Sequence, residues 1–188
     1  EIIMVIGYKG DQIQTFLGDE WHGKKVHYVW QEKPQGTAHA VALAKDLLQG
    51  ERYFLAGYAD DIHGAEGVAA LVAQKRPCFM VAEVADPRKF GVIETDTAGK
   101  IITFVEKPEN PKSNLVSSGF FVLPIEFFDY KTPPHENGEE YIPDRVDLMM
   151  KDGHKFYTER STSWIPIGYP EDLEKAEKEL SGNKIRTA

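Results

Sequence analysis

Apolar runs of four to six residues alternate, through the first half of the chain, with segments whose apolar positions recur at helical spacing. Ile2–Gly7, Lys25–Trp30, Tyr53–Ala56 and Phe79–Val84 read as strands, and Gly10–Phe16, Thr37–Leu48 and Gly67–Lys75 between them read as helices. Strands that are apolar along their whole length suit a sheet covered on both faces, and their alternation with helices predicts βαβ units. The second half changes period. Gly91–Thr95 and Ile101–Glu106 flank the turn-forming cluster Asp96-Thr97-Ala98-Gly99 and predict a β-hairpin. Ser118–Leu123 predicts another strand, Pro124–Tyr130 a short helix, and Lys131–Gly138, with its prolines, asparagine and glycine, a loop. Asp144–Lys151 predicts a helix and Lys155–Glu159 a strand. Pro170–Leu180 closes as a helix, with Glu171 and Asp172 in the first turn, where carboxylates favour the helix dipole. The expected fold class is α/β, a mostly parallel mixed sheet with helices on both faces. No repeat and no long linker divides it, so residues 1–180 are expected to form one domain and 181–188 a tail or linker. The chain starts without methionine in the apolar run Ile2-Ile3-Met4-Val5-Ile6, and residues are expected upstream of Glu1.

A chain of 188 residues can bury a substantial core, and 41% hydrophobic residues make it globular rather than disordered. A net charge of −8 argues against a broad nucleic-acid-binding face but leaves room for a local basic pocket that takes a phosphorylated small molecule. Cys78 is the one cysteine and lies in an apolar run. It excludes an intrachain disulfide and a cysteine metal cluster, and it fits a reducing, cytoplasmic setting. No apolar stretch approaches a membrane span, and no secretory signal pattern is seen, so no membrane partner is expected. A homo-oligomer is left open.

Candidate chemistry begins with Gln31-Glu32-Lys33-Pro34-Gln35-Gly36-Thr37-Ala38-His39-Ala40. A side-chain amide sets a donor beside an acceptor, which suits the edge of a flat heterocycle such as a pyrimidine. Gly36 lets the backbone come close to a ring that a Cβ would push away. The same residues also read as a strand-to-helix turn with Thr37 as helix N-cap. Further on, the buried strand from Tyr53 ends in Asp60-Asp61. Ligands gather at the carboxyl ends of strands in open α/β sheets, and a carboxylate there can hold Mg²⁺. A solvated turn accounts for the pair equally simply, as a charged strand end does for Glu106-Lys107-Pro108. The six histidines form no ligand cluster, and His39 reads as structural. Gly7-Tyr8-Lys9-Gly10 lacks the spacing of a phosphate loop.

The order of these features resembles the sugar-1-phosphate nucleotidylyltransferases, of the type that joins UTP or dTTP to glucose 1-phosphate. The resemblance covers almost the whole chain. It rests on Gln31…Gly36-Thr37-Ala38, Asp60-Asp61, Phe90-Gly91-Val92, Glu106-Lys107-Pro108, Ser117-Ser118-Gly119, Glu140…Asp144 and Trp164…Gly168. It implies a Rossmann-like nucleotidyltransferase fold, a nucleoside triphosphate and a sugar 1-phosphate as partners, and Mg²⁺ as cofactor. By resemblance Gln31, Gly36 and Thr37 meet the nucleobase, and Asp60 binds the metal, although Ala59 stands where the family usually has glycine. Gly91 lies against the sugar, Glu106 binds its hydroxyls and Lys107 contacts its phosphate. Gly119 opens the following strand to the sugar. Ser117 stands where asparagine is common, and Glu140 matches a further sugar-side acid, with neighbouring Glu139 leaving that register open. Asp60 and Lys107 are thereby the expected catalytic pair.

Two departures limit the resemblance. Pro166, in Trp164-Ile165-Pro166-Ile167-Gly168, stands where the family commonly has the aspartate that is the second metal ligand. The family's Gly-rich loop ending in arginine does not occur in these 188 residues, so they are not expected to turn over by themselves. Truncation is the leading explanation, and Lys184-Ile185-Arg186-Thr187-Ala188 also resembles the start of the strand before that loop, as a permuted order would place it. The alternative to an enzyme is a non-catalytic, nucleotide-sugar-binding regulatory homologue. A glycosyltransferase ranks last, because Asp60-Asp61 is not an Asp-x-Asp.

Overall fold

The computed structural model describes residues 1–182. Its elements begin with β1 (Ile2–Ile6), α1 (Gly10–Leu17), β2 (Glu20–Trp21), β3 (Lys24–Trp30) and α2 (Thr37–Ala42), and a 3₁₀ turn at Lys45–Leu48 follows. Next come β4 (Tyr53–Gly57), β5 (Ile62–His63), α3 (Ala65–Ala73), β6 (Cys78–Glu83), β7 (Gly91–Thr95) and β8 (Ile101–Glu106). β9 (Leu115–Pro124), α4 (Ile142–Lys151), β10 (Tyr157–Arg160), β11 (Trp164–Ile165) and α5 (Pro170–Gly182) complete the described chain, with 3₁₀ turns at Pro87–Lys89 and Ile125–Asp129. The chain divides into two compact units. The first takes Glu1–Phe54, Phe104–Glu106 and Pro124–His154; the second takes Leu55–Thr103, Lys107–Leu123 and the chain from Lys155 onward.

In the first unit β1 and β3 run parallel, from Ile2 opposite Val26 to Ile6 opposite Trp30, and β2 folds back antiparallel on β3. The Gly7–Gly10 segment closes on itself, with the Gly10 N–H donating to the Gly7 carbonyl at 2.8 Å and Lys9 in the left-handed region. Gly10 is buried where a Cβ would sit 3.0 Å from the Trp30 ring, so this glycine serves packing rather than phosphate. The predicted helix Thr37–Leu48 is two pieces. After Ala42 the hydrogen bonds shorten to i→i−3, from Ala44 to Val41 and from Leu47 to Ala44, and the chain tightens into the 3₁₀ turn. The core joins Phe54, stacked on Phe128 at 5.2 Å, with Phe127, Ile142, Val146 and Met149. Arg145, 3% exposed, lays its guanidinium 4.8 Å from the Phe127 ring centre.

The second unit is built on β6, whose first four residues are buried as its apolar run predicts. β10 pairs parallel to β6, and β9 pairs antiparallel to both β6 and β7, so the sheet is mixed in the order β10-β6-β9-β7-β8, with β4 also on β9. β9 starts at Leu115, three residues before the predicted strand, because Val116 and Leu115 still pair with Ala82 and Glu83. The predicted hairpin forms for a local reason. Asp96 accepts the N–H groups of Ala98 and Lys100, both at 2.9 Å, and Gly99 takes φ +75°. Short β5 and β11, not anticipated from the sequence, pair antiparallel through Trp164–His63 and Ile165–Ile62. α5 begins where Asp172 accepts the Gly168 and Tyr169 N–H groups, and it continues through Ser181 and Gly182, so those two residues are helix rather than tail. The expected strand start at Lys184–Ala188 lies outside the described residues. No helix among the described residues is long and apolar enough to cross a membrane.

Phe79 is fully buried, with ring centroids 5.2 Å from Phe121 and 6.0 Å from Phe156. Phe79→Ala is expected to cost about 3–5 kcal/mol, read as a fall in the denaturant midpoint. A loss below about 1 kcal/mol would mean that this cluster does not hold the unit together.

Candidate functional site

The amide of Gln31 sits at the end of β3, where its backbone N–H donates to the Ile6 carbonyl at 2.8 Å and carries the ladder one residue further. Its side-chain nitrogen faces two acceptors, His39 Nδ1 at 2.9 Å and the Gly36 carbonyl at 3.4 Å. Its oxygen accepts no hydrogen bond from the described residues. Gly36 takes φ +91° and is the N-cap of α2, so Thr37 is the first helical residue and not the cap. Thr37 caps elsewhere: its hydroxyl accepts the Ile142 N–H, at the start of α4, at 3.3 Å.

The turn is stitched to the segment before α4. The Glu140 N–H donates to the Gln35 carbonyl at 2.8 Å, and the Ala38 N–H donates to the Glu140 carbonyl at 3.0 Å. A Cβ on Gly36 would lie 2.6 Å from the Glu140 nitrogen and closer still to its carbonyl oxygen. The Glu140 backbone alone therefore requires glycine at 36, before any ligand is considered. Arg145, itself nearly buried, donates to Oε2 of the partly exposed Glu140 carboxylate at 2.7 Å. Glu139 accepts from Asn137 at 3.1 Å and from the Tyr141 hydroxyl.

A second group of residues lies in the other unit, around the end of β4. Asp60 is exposed and takes part in no hydrogen bond or ion pair among the described residues. Asp61 is engaged on both oxygens, accepting from Trp164 Nε1 at 2.9 Å and from the Ile167 N–H at 3.2 Å. Gly119 is buried at φ +88°, and a Cβ there would sit 2.8 Å from the Tyr58 ring and 3.3 Å from Asp61 Oδ2. The Tyr58 N–H donates to the Gly119 carbonyl at 3.0 Å. Trp164 also meets Phe90, next to Gly91, edge to face at 5.4 Å. The exposed Lys107 holds φ +40°, strained for a side-chain-bearing residue, while its N–H donates to the Phe90 carbonyl at 3.0 Å. Ser117 Oγ receives only a long 3.5 Å contact from the Gly119 N–H. Glu106, at the end of β8, is half-buried and belongs to the first unit.

A family model described as nucleotidyl transferase matches residues 1–183. The chain belongs to the nucleotidyl transferase family. It is 32% identical over 190 residues to UTP–glucose-1-phosphate uridylyltransferase AglF of Haloferax volcanii, covering 96% of this chain and 77% of that protein. It is 30% identical over 189 residues to the bifunctional protein GlmU of Methanococcus maripaludis, covering 98% of this chain but 44% of GlmU. Among solved structures it resembles a Bacillus anthracis protein, provisionally named a glucose-1-phosphate thymidylyltransferase, in complex with a sucrose. That match has a TM-score of 0.81 at 26% identity and covers 95% of this chain and 75% of the other. The nucleotidyltransferase fold is thus established, and the kinship is with sugar-1-phosphate nucleotidyltransferases.

Within this family member, the structure brings Gln31, Gly36, Thr37 and Glu140 together in one unit, and Asp60, Gly91, Lys107, Ser117 and Gly119 fall in the other. Sequence reasoning missed three working residues: His39, which holds Gln31; Asp61, which clasps the Trp164–Ile167 segment; and Arg145, which engages Glu140. In the sequence Asp61 is only the second carboxylate of an adjacent pair, and nothing in sequence spacing pairs residues 103 apart. Pro166 is exposed between Ile165 and Ile167 and contributes no oxygen side chain. No group of three or more histidine, cysteine, aspartate or glutamate side chains among the described residues is arranged to hold a metal. Asp60, exposed and uncommitted, is a carboxylate that could hold Mg²⁺, an ion commonly bound through one or two carboxylates, and the ion would take its other oxygens from substrate phosphates and water. Burial pushes the Cys78 thiol up to about 12, with Glu159 adding to the shift, which leaves it an inert core residue.

Gly36→Ala and Gly138→Ala make a matched pair, because both glycines have positive φ and only Gly36 faces backbone. Gly138→Ala is expected to cost about 1 kcal/mol from φ alone, and Gly36→Ala about 1–3 kcal/mol more, read by equilibrium unfolding. Equal losses would remove the Glu140 constraint. His63 lies against Phe120 at 4.5 Å, with neither ring nitrogen hydrogen-bonded. Burial holds its imidazole below the ordinary 6.5, the Asp61 carboxylate opposing. A folded pKa below the unfolded one confers stability that is complete above about pH 6.5 and is lost as pH falls through the folded value. His63→Phe should flatten that acid-side decline in melting temperature, and an unchanged slope would rule His63 out as its source.

Proposed function

We propose that residues 1–180 are the body of a nucleotidyltransferase domain that transfers a nucleotidyl group from UTP or dTTP to a sugar 1-phosphate, with glucose 1-phosphate the first choice of sugar. The observation that carries this reading is the Gln31 amide, held by its nitrogen with its oxygen uncommitted beside the Gly36 turn. An acceptor fixed in that way suits the N3–H of uracil or thymine. AglF, a uridylyltransferase by name, supports the same choice. On the other unit Gly91 and Gly119 are the backbone positions that the resemblance sets against a sugar ring, with Gly119 packed under Tyr58, and Lys107 offers a compact cation to its phosphate. Glu106 supplies an acceptor-only group for sugar hydroxyls. Ser117 adds a hydroxyl with little competing bonding. Glu140, whose Oε2 accepts from Arg145, has Oε1 left to serve as a further acceptor on the sugar side.

In the reaction a sugar-phosphate oxygen attacks the α-phosphorus in line. The new O–Pα bond forms as the bond from Pα to the β-phosphate oxygen breaks, and pyrophosphate leaves with that electron pair. The attacking phosphate is already ionised, so no general base is required. Lys107 offsets the charge that develops on the phosphoryl oxygens. Mg²⁺, when bound through Asp60, adds charge neutralisation at the same phosphates. The setting is cytoplasmic in this reading, in keeping with a single buried cysteine.

A second reading has a specific observation behind it. Pro166, which offers no oxygen side chain where the resemblance implies a metal-binding aspartate, favours a homologue that binds nucleotide sugars without turnover. Pyrophosphate release by the whole protein, with Mg²⁺, UTP or dTTP and glucose 1-phosphate, separates the two. Release is expected, and Lys107→Met should lower kcat by roughly a hundredfold. UDP-glucose binding without release for any nucleotide and sugar-phosphate pair would establish the non-catalytic homologue instead.

A further inference from the structure

We propose that His39 is a positioning residue that sets nucleobase selectivity by fixing which end of the Gln31 amide faces the ligand. The inference rests on the base-side reading above. A glutamine amide can turn over and exchange donor for acceptor at almost no intrinsic cost, so an amide alone selects nothing. Here two acceptors converge on one end. His39 Nδ1 lies 2.9 Å from the nitrogen and the Gly36 carbonyl lies 3.4 Å from it. With the amide reversed, its oxygen would point at the Gly36 carbonyl oxygen, a repulsion no imidazole tautomer relieves, and His39 would have to carry its proton on Nδ1 instead of Nε2. His39 serves as the acceptor in its neutral form, with the proton on Nε2. Both amide protons are then spent inside the turn, and Oε1 is what remains to meet a ligand.

The consequence is a chemical filter. Uracil and thymine carry an N–H donor at N3 and can satisfy Oε1. Cytosine has a bare acceptor at N3, which would set a lone pair against the amide oxygen and leave both groups unpaired. Gly36 makes the geometry rigid, because its carbonyl is held by the turn that the Glu140 backbone clamps on both sides. His39 extends from α2, whose start is set by the same clamp.

The test uses the whole protein, with UMP and CMP as probes in calorimetric titration, and the variants His39→Leu and His39→Asn. The wild type should bind UMP at least about tenfold more tightly than CMP, as expected where a mismatch leaves partners unpaired. Leucine removes the acceptor, and the ratio should fall to within about threefold, whereas asparagine can accept through Oδ1 and should keep most of the preference. A full preference in His39→Leu would overturn the proposal. So would equal binding of UMP and CMP by the wild type, although nucleotide binding would then still stand. Binding of neither nucleotide by folded wild type would bring down the base-side reading itself. A ligand-free measurement covers a leucine variant that fails to fold. In the wild type the Gln31 side-chain amide protons should give separate, slowly exchanging NMR signals. Signals like those of exposed glutamines would overturn the His39–Gln31 link directly.

Discussion

The Glu140 main chain lies against Gly36 with no space for a side chain between them, and the geometry of the first unit's functional turn follows from that contact. Two backbone hydrogen bonds, one on each side of Gly36, fasten the Gln35–Ala38 strip to the chain entering α4. The Thr37 hydroxyl adds a third tie by accepting from Ile142. Once the strip is clamped, the Gly36 carbonyl and the first turn of α2 have fixed directions. Gln31 then finds its two acceptors in place. Arg145 completes the arrangement from behind, its guanidinium spread over Phe127 and bonded to the Glu140 carboxylate. A nearly buried arginine paired with a partly exposed acid suits a device that specifies one conformation more than it suits a source of stability.

The second unit solves a comparable problem with a carboxylate. Asp61 spends both oxygens on Trp164 and Ile167 and so gathers a short strand and the following loop beside the end of β4. Trp164 passes that order on to Phe90 through an edge-to-face contact. The neighbouring Asp60 is left exposed and uncommitted, the state suited to an ionic ligand. Two adjacent aspartates thus have opposite duties, set by which of them the tryptophan reaches. Lys107 holds an unfavourable backbone angle at the end of this chain of contacts, anchored by its N–H on Phe90. Strain of that kind persists where the surrounding structure over-determines a residue.

Periodicity and turn chemistry are local properties, and they made most of the elements legible from the residues. β1, β3, β6, β7 and β8 were visible as apolar or alternating runs, and the hairpin at Asp96–Gly99 was visible because Asp96 bonds its own turn. The α/β class followed from the same patterns, and the ordered motifs pointed to the family. What escaped was decided at a distance. β5 and β11 have two residues each and carry no period of their own; each exists because the other pairs with it. The break in the helix after Ala42 and the extra residues of β9 likewise reflect hydrogen-bond partners rather than propensity.

The sequence by itself determined which chemical groups are available: an amide and a glycine before a helix, paired carboxylates after a strand, and a lysine at a strand end. Tertiary structure alone decided how each is employed. Gly36 answers first to the Glu140 backbone, Thr37 caps a helix 105 residues away, and Glu140 is held by Arg145. His39 passes from a structural histidine to the group that orients Gln31. The reason is physical. A residue type limits what hydrogen bonds a side chain can make, but only its neighbours in space determine which of those bonds are already made and which are left for a ligand.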